Sequence, residues 1–283
     1  MPQRDTANAP MPVFQPSGVI TLTTDFGHKG PFVGVMKGRI YARFPAARIV
    51  DLSHEILAHW PAEAGFWLAR SFEYFASGTV HVAVVDPGVG TPRSLIAVAV
   101  RDQLMLAPDN GLLAPVVTRD PEARIRRIDL GGLAALTLPR PSATFHGRDI
   151  FAPLAAELAI GRIQPEDLGP LLPVQSIVPA WVEEAQGDGH AVSGVVITVD
   201  HFGNLITNID ATHISRMSAP RVYAGNHSWS LSRTYGDLRP GEYLALVNSF
   251  GVVEIARAEQ SAEEGLGLSR GAPVIVRDTA RVP

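Results

Sequence analysis

The spacing of apolar and polar positions predicts an α/β arrangement in the first half of the chain. Short apolar, β-rich runs alternate with segments in which apolar residues recur at helical spacing, as Val33, Met36 and Ile40 do. The predicted strands cover residues 19–24, 47–52 and 80–85, and the predicted helices cover residues 31–44 and 61–75. Strands and helices that alternate at this length indicate βαβ units, so we expect a mainly parallel sheet.

The pattern changes after residue 160. A hairpin-like pair at 95–100 and 103–107 and a helix at 150–160 precede a stretch rich in Pro and Gly. Short β-like runs separated by turns then follow at residues 192–199, 204–208, 221–223, 243–247, 252–256 and 273–277. Runs of this kind are typical of a small all-β barrel or sandwich.

These patterns predict an α/β N-terminal domain with a mainly parallel central sheet and an all-β, barrel-like C-terminal domain. The α/β domain is expected at 18–175, a linker at 176–191 and the barrel-like domain at 192–283. Residues 1–17 are rich in Pro and aperiodic, which indicates a flexible N-terminal arm.

Composition narrows the classes of protein that this chain can represent. It has 283 residues, a formal net charge of −4 and no basic stripe, so nucleic-acid binding has little support. It has no Cys, which excludes disulfides, thiolate catalysis and Cys-based zinc sites. The first 17 residues lack the apolar core of a signal peptide, and no apolar run is long enough to span a membrane. We therefore expect a cytoplasmic protein with no membrane partner.

The stretch V-V-D-P-G-V-G-T-P-R at residues 84–93 is the most informative part of the chain. It follows a predicted strand and places Asp86 and Arg93 around a tight turn, while T-F-H-G-R-D at 144–149 offers His146. Ligands in open α/β sheets bind beyond the carboxyl ends of strands, and these residue types can hold and deprotonate a water. The alternative is a structural turn in which Asp86 caps backbone amides.

Two further carboxylate motifs follow predicted strands. Asp25 in T-T-D-F-G has a position suited to a ribose diol, or to an Asx-turn into Gly27. The D-L-S-H-E motif at 51–55 offers an incomplete metal site through His54 and Glu55, but a capping and turn role is the simpler interpretation because no H-x-x-x-H partner exists.

Taken together, these stretches resemble the S-adenosyl-L-methionine (SAM) hydroxide adenosyltransferases, hydrolases related to the fluorinase and chlorinase. The motifs that carry the likeness are T-D-F-G at 24–27, D-L-S-H at 51–54, V-D-P-G-V-G at 85–90 with Arg93, A-P-D-N-G at 107–111, F-H-G-R-D-I-F at 145–151, D-H-F-G-N-L-I-T-N at 200–208 and N-S-F-G at 248–251. The resemblance implies hydrolysis of SAM to adenosine and L-methionine with no metal and no cofactor. It also implies a homotrimer whose sites lie between one subunit's first domain and a neighbour's second.

The resemblance also implies roles for individual residues. Asp86, Arg93 and His146 are the expected catalytic group, and Arg93 is the poorest candidate base because its guanidinium does not deprotonate in proteins. Asp86 is expected among the substrate contacts as well, with Asp25 on the ribose hydroxyls and Trp60 over the sugar. The remaining expected substrate contacts are Asp200 and Asn204 near the methionine and ribose end, and Ser249, Phe250, Glu254, Ala256 and Arg257 near adenine.

Three alternatives accompany this interpretation. A halogenase is disfavoured because the fluorinase has tyrosines where this chain has Asp86 and His146, and a carboxylate would repel a halide. The fluorinase also has Thr in place of Val89 and Trp in place of Ile206, so contacts at the methionine end are less well defined. The other two alternatives are a non-catalytic adenosine or SAM binding module and a metal-dependent hydrolase using His54, Glu55 and Asp86.

Overall fold

The computed structural model describes residues 14–136 and 140–281. The chain divides into two compact units, the first ending at Trp181 and the second beginning at Val182. This division falls within the predicted linker at 176–191. Most of the predicted arm lies outside the described residues, but Phe14 packs against the first core and the Ser17 amide donates to the Gly78 carbonyl, so residues 14–17 belong to the first unit.

The first unit alternates strands and helices as its apolar pattern predicts. Its strands are β1 (Val19–Thr24), β2 (Arg48–Ser53), β3 (Val80–Val84), β4 (Leu95–Val100), β5 (Gln103–Pro108), β6 (Arg124–Arg127) and β7 (Leu171–Leu172). Its helices are α1 (Phe32–Tyr41), α2 (Pro61–Ser71), α3 (Ala114–Arg119) and α4 (Ala152–Ala159), the last preceded by a π-helical turn, Gly147–Phe151.

The sheet of the first unit has the strand order β2-β1-β3-β5-β4-β6-β7. Strands β2, β1, β3 and β5 pair in parallel, while the β4–β5 hairpin, β6 and β7 add antiparallel pairs. The α/β prediction is confirmed, and the sheet is mixed because its second half continues as hairpins. Apolar side chains of α1 and α4 pack on one face of this sheet, and those of α2 and α3 pack on the other.

A buried histidine lies in the parallel part of this sheet. His81 on β3 is fully buried; its Nδ1 lies 2.8 Å from Thr21 Oγ1 and its Nε2 lies 2.7 Å from Gln103 Oε1. Gln103 donates its own amide to the Phe75 carbonyl, so its Oε1 accepts from His81 and the imidazole carries its proton on Nε2. Burial lowers the pKa of His81 from 6.5 to about 4, so this residue is neutral in the folded protein.

This histidine predicts acid sensitivity of the fold. Because its folded pKa lies below its unfolded pKa, its contribution to stability is complete above pH 6.5 and is lost as the pH falls toward 4. At about pH 4.5 the free energy of unfolding should be roughly 2–3 kcal/mol lower than at pH 7 through this residue alone. Urea unfolding at both pH values should show a smaller loss in His81→Gln than in wild type. The exposed His213→Gln serves as the control, and an equal loss in all three proteins would contradict the assignment.

The second unit is a nearly closed antiparallel barrel. Its strands are β8 (Gln186–Gly187), β9 (Ala191–Val199), β10 (Leu205–Asp210), β11 (Pro220–Ala224), β12 (His227–Ser230), β13 (Tyr243–Val247), β14 (Val252–Arg257) and β15 (Pro273–Asp278), with short helices α5 (Ala211–Ile214) and α6 (Ala262–Leu266). The order is β12-β11-β15-β9-β10-β14-β13, and β8 pairs with β9. The ring closes just past β12, where Leu231 bridges Ala245 on β13 and the Ser232 amide donates to the Ala245 carbonyl. The barrel prediction is confirmed.

Two elements differ from the predicted ones. The P-D-N-G turn at 108–111 leads from β5 into α3, a helix that the apolar pattern did not predict, and the predicted helix at 150–160 begins earlier, as the π-helical turn. In the described part of the chain, no helix has both the length and the apolar character needed to cross a membrane.

Candidate active site

Two carboxylates meet at one edge of the first sheet. Strands β1 and β3 are parallel neighbours with Thr24 opposite Val84, so their carboxyl ends lie side by side. Asp25 follows β1 directly and Asp86 lies two residues beyond β3. Both residues line a cavity of about 510 Å³. Both side chains therefore lie where the sequence predicts them, beyond the carboxyl ends of parallel strands.

The loop that carries Asp86 also supplies its cationic partner. Arg93 forms a forked pair with the Asp86 carboxylate, Nε donating to Oδ1 at 2.7 Å and Nη2 donating to Oδ2. The side chain of Asp86 is only 4% exposed, and that of Arg93 is only 10% exposed. Gly90 in this loop has φ +82°, and a Cβ there would lie 2.3 Å from the Ala143 carbonyl oxygen. Only Gly therefore lets this loop pack against the segment that leads to His146.

His146 completes the cluster through its contact with the same arginine. Arg93 Nη2 lies 3.0 Å from His146 Nδ1, and since a guanidinium only donates, Nδ1 accepts. Burial, followed by the charge of Arg93, lowers the pKa of His146 below 6.5, against the smaller opposing influence of Asp86 and Asp149. The neutral imidazole therefore carries its proton on Nε2. This tautomer makes His146 a hydrogen-bond donor toward a ligand, and not a proton acceptor.

The three side chains have different positions relative to the cavity. Asp86 and His146 line it, whereas Arg93 lies behind them and directs its donors at both. A carboxylate acceptor and an N–H donor thus face the same space, which is the pair of groups that binds and orients one water. The structure brings together the three predicted catalytic residues, and of the two that line the cavity Asp86 is the acceptor and His146 the N–H donor.

Part of the cavity wall is aromatic. The rings of Phe26, Phe32 and Phe145 pack with centroids 5.6–6.1 Å apart, and all three line the cavity. Arg148 stacks over Phe145 and pairs with the buried Asp149, which also accepts from the Ser142 amide. Asp149 therefore anchors the 142–149 segment, which carries Phe145 to this apolar wall.

Asp25 is oriented from a neighbouring turn. Its Oδ2 accepts from the His59 amide at 2.9 Å, while the Gly27 amide donates to the His54 carbonyl. The local alternative, an Asx-turn from Asp25 into Gly27, is therefore wrong. Because His59 takes up only one lone pair of Oδ2, the carboxylate can still accept two hydroxyls from a bound sugar.

Trp60 lies outside this cavity in the structure. Its ring packs edge-on against Trp181, with centroids 5.5 Å apart, and the cavity is lined instead by the preceding Ala58 and His59. The predicted contact between Trp60 and the sugar stays a prediction.

The D-L-S-H motif forms a structural network. His54 is buried, with Nδ1 2.8 Å from Thr24 Oγ1 and Nε2 3.1 Å from Asp51 Oδ1, and Lys37 donates to the other Asp51 oxygen. Burial raises the pKa of Asp51, but the hydrogen bonds from Lys37 and His54 outweigh it and leave that pKa below its usual value. Across residues 14–136 and 140–281, no group of three or more His, Cys, Asp or Glu side chains is placed to hold a metal ion.

The predicted substrate residues of the C-terminal half lie on the second unit. In the β9–β10 loop, Asp200 Oδ1 accepts from the Phe202 and Asn204 amides, and Oδ2 accepts from the Asn204 side chain at 3.0 Å. These bonds make D-H-F-G-N a tightly closed loop that presents Asp200 and Asn204 at fixed positions.

A second polar cluster surrounds Glu254 on β14. Glu254 is 2% exposed, and its Oε1 accepts from the Tyr235 hydroxyl at 2.7 Å while its Oε2 accepts from the Asn248 amide at 3.1 Å. Burial raises the pKa of Glu254, and these two donors oppose that rise. Sequence reasoning singled out Glu254 but missed Tyr235 as its partner. The sequence signal that could have indicated such a partner is a carboxylate within a buried strand, because a buried carboxylate requires hydrogen-bond donors.

The other predicted residues of this unit surround the β13–β14 hairpin. Ser249 is exposed in its loop, Phe250 donates its amide to Asn248 Oδ1, and Ala256 is buried two residues beyond Glu254. Arg257 donates to the Gly241 carbonyl and stacks over the Tyr243 ring. The expected contacts of these residues with adenine stay predictions.

The fold and the cavity together define a class: an α/β unit followed by a β barrel, with a coupled Asp-Arg-His cluster at the ends of parallel strands. The family models for the SAM hydroxide adenosyltransferase N-terminal and C-terminal domains match residues 20–169 and 194–275. The chain belongs to the SAM hydroxide adenosyltransferase family, and the resemblance stated from the sequence motifs is confirmed.

Individual relatives agree with this assignment. The chain is 36% identical over 265 residues to the (R)-S-adenosyl-L-methionine hydrolase of Thermus thermophilus, covering 90% of this chain and 98% of that protein. It is 36% identical over 261 residues to the enzyme of the same name from Salinispora arenicola, covering 89% and 95%. The crystal structure of an uncharacterized conserved protein from Thermotoga maritima superposes with a TM-score of 0.83 at 34% identity, covering 91% of this chain and 99% of that one.

Proposed function

We propose that this chain hydrolyses SAM to adenosine and L-methionine. The observation that carries the proposal is the forked Asp86–Arg93 pair, with His146 on the same guanidinium, at the wall of the cavity that Asp25 also lines. The hydrolase names of the relatives and the family membership support the same reaction.

In the proposed reaction, a water attacks the ribose C5′ and displaces the methionine sulfur. The new C–O bond forms as the C–S bond breaks, and the electron pair of that bond returns to sulfur as a neutral thioether. The leaving group therefore needs no acid. Asp86 accepts the proton of the attacking water, and His146 Nε2–H donates to a lone pair of that water and fixes its direction. Positioning of this kind can supply several kcal/mol of the barrier.

The same geometry bears on the halogenase alternative. Arg93 compensates the charge of Asp86, so repulsion of a halide by the carboxylate is weaker than the sequence argument assumed. The stronger argument is that Arg93 directs donors at Asp86 and His146 and lies behind both, while Val89 contributes only an apolar side chain to the cavity. A halide would find few donors there, whereas a water can both donate and accept.

Isotope labelling tests the reaction. Wild-type protein incubated with SAM in ¹⁸O-labelled water should release adenosine that carries the heavy oxygen at its 5′-hydroxyl, together with methionine. We propose that no metal or cofactor takes part, so a chelator should leave the rate unchanged. Binding of SAM without turnover would favour the binding module instead, and 5′-chloro-5′-deoxyadenosine formed in added chloride would favour the halogenase.

We further propose a homotrimer in which the first unit of one subunit and the second unit of its neighbour share each site. Family resemblance supports this, and so does the presence of predicted substrate residues on both units. Multi-angle light scattering should give three chain masses, and a monomer would contradict the proposal.

The tautomer of His146 predicts a pH dependence. Its pKa is lowered from 6.5, so the imidazole is neutral at pH 7 and becomes protonated only below that value. A proton on Nδ1 would remove the acceptor for Arg93 and place two cations 3.0 Å apart, so kcat should decline on the acid side with a midpoint below pH 6.5. His146→Asn keeps an acceptor for Arg93 but does not titrate, so its residual activity should lose that acid decline. The same midpoint in both proteins would assign the titration to another group.

A further inference from the structure

His54 is a buried histidine that the proposed reaction does not use. It is 2% exposed and does not line the cavity, yet two of its atoms contact the turn that follows β1. Its Nδ1 lies 2.8 Å from Thr24 Oγ1, and its carbonyl accepts from the Gly27 amide at 2.8 Å. His54 therefore contacts the chain on both sides of Asp25, which does line the cavity.

The hydrogen bonds around His54 have one consistent direction. The Asp51 carboxylate only accepts, and its Oδ1 lies 3.1 Å from His54 Nε2, so the neutral imidazole carries its proton there. Nδ1 then accepts from the Thr24 hydroxyl, whose oxygen accepts in turn from the Phe26 amide at 3.3 Å. Thr24 thus joins the fixed imidazole to the backbone beyond Asp25. An amide oxygen at position 51 would serve Nε2 equally well, so this arrangement does not depend on the charge of Asp51.

The pairing of β1 with β2 is irregular just before this turn. Its register shifts between Leu22 and Thr23, and irregularities of this kind re-aim the side chains that follow them. Beyond the strand, one short segment holds Asp25: His54 contacts its chain neighbours, and the His59 amide donates to Asp25 Oδ2 at 2.9 Å. His59 adopts φ +64°, a conformation that a residue with a side chain keeps only where its surroundings impose it. The direction of the carboxylate therefore depends on how firmly this segment is held.

We propose that His54 and Thr24 are positioning residues that hold the Asp25 carboxylate toward the 2′- and 3′-hydroxyls of the substrate's ribose. The inference rests on the proposed function, because that function brings a ribose into this cavity. It assigns to the buried Thr24–His54 pair the preference of the site for ribonucleosides over nucleosides that lack both hydroxyls. Neither residue lines the cavity, so both act through Asp25.

Calorimetric binding of adenosine and 2′,3′-dideoxyadenosine to the full chain tests this inference. Wild type should bind the dideoxynucleoside at least about tenfold more weakly than adenosine, since hydrogen bonds to a charged group are among the stronger ones. Thr24→Val keeps the shape of the side chain but removes the hydroxyl, so adenosine should bind roughly tenfold more weakly while the dideoxynucleoside binds as before. Thr24→Ser restores the hydroxyl and should restore the wild-type ratio of the two Kd values.

Thr21→Val is the matched control. Thr21 lies on the same strand, is as fully buried as Thr24, and has its Oγ1 2.8 Å from Nδ1 of His81, another buried histidine. Both Val substitutions remove a buried Thr–His contact and should lower the urea midpoint alike, but Thr21→Val should leave the ratio of the two Kd values unchanged. An equal change of this ratio in both variants would assign it to lost stability and overturn the inference.

Two further variants show whether the pair acts through the carboxylate. His54→Leu keeps most of the bulk but cannot accept from Thr24, so it should lose the preference for adenosine as Thr24→Val does. In an Asp25→Ala background, Thr24→Val should not change the ratio further, because the group that it positions is gone.

The outcomes separate this inference from the reaction itself. An unchanged ratio in Thr24→Val and His54→Leu would overturn the inference, as would wild type that binds both nucleosides equally or binds neither. Failure of the proposed function has a different signature: wild type prefers adenosine and Thr24→Val loses that preference, but no SAM is cleaved.

Discussion

Asp86→Asn should lower kcat for adenosine formation by ~10²–10⁴-fold, the range expected when a positioned proton acceptor is removed. The substitution keeps the size of the side chain and one acceptor oxygen for Arg93, but it removes the charge and the site that accepts the proton from water. KM for SAM should change little, because in the proposed reaction Asp86 contacts the attacking water rather than the leaving methionine. Steady-state kinetics, with adenosine followed by chromatography, measures both quantities.

Asp51→Asn is the matched control for this change. Asp51 also lies near the end of a parallel strand, β2, and is also paired with a cation, Lys37, but it does not line the cavity. Its substitution should leave kcat within a few-fold of wild type. Equal losses in the two variants, or an unchanged kcat in Asp86→Asn, would show that Asp86 is not the proton acceptor.

Arg93→Lys should reduce kcat by about two orders of magnitude while the protein stays folded. A lysine ammonium can neutralise Asp86 but cannot donate in fork geometry to both carboxylate oxygens and also reach His146, so water, acceptor and donor lose their alignment. Arg93→Ala removes the cation altogether and leaves a carboxylate that is 4% exposed without compensation. That variant should lose about 3–5 kcal/mol of unfolding free energy as well as activity.

Arg101 supplies the comparison for both changes. It pairs with Glu73 and Asp120, and its side chain is half-exposed, so Arg101→Ala should cost no more than about 1 kcal/mol and leave kcat unchanged. Urea unfolding and steady-state kinetics on the four proteins separate loss of stability from loss of alignment. An Arg93→Lys variant with wild-type kcat would mean that charge alone, and not the fork, is what the site requires.

The first unit was largely predictable because its chemistry depends on its topology. The apolar pattern predicts a mainly parallel sheet, whose strands share one carboxyl edge, and this alone places Asp25 and Asp86 at the same edge. That β1 and β3 are direct neighbours is seen only in the structure. The link from Arg93 to His146 Nδ1 was not predictable in the same way. It depends on the close approach of Gly90 to Ala143, a contact between segments that are separated by some fifty residues of chain.

The second unit was predictable in outline and less so in detail. Short β-like runs separated by turns predicted most of the barrel strands. Strand β12 was not predicted because it is short and polar and contains no apolar run. Tyr235 was not recognised as a partner of Glu254 because it lies in a polar turn, and no sequence spacing relates the two residues. The Trp60 expectation rested on resemblance alone; its ring packs against Trp181, and its contact with the sugar stays a prediction.

The segment that closes the barrel is also the one that reaches Glu254. Ser232 joins β13 through the Ala245 carbonyl, and three residues later Tyr235 contacts the buried carboxylate. One short stretch of polypeptide therefore both closes the barrel and supplies a donor to a carboxylate that is only 2% exposed. A substitution that displaces this stretch would open the barrel edge and also remove one of the two side-chain donors to Glu254, so its cost in unfolding free energy should exceed that of a single lost contact.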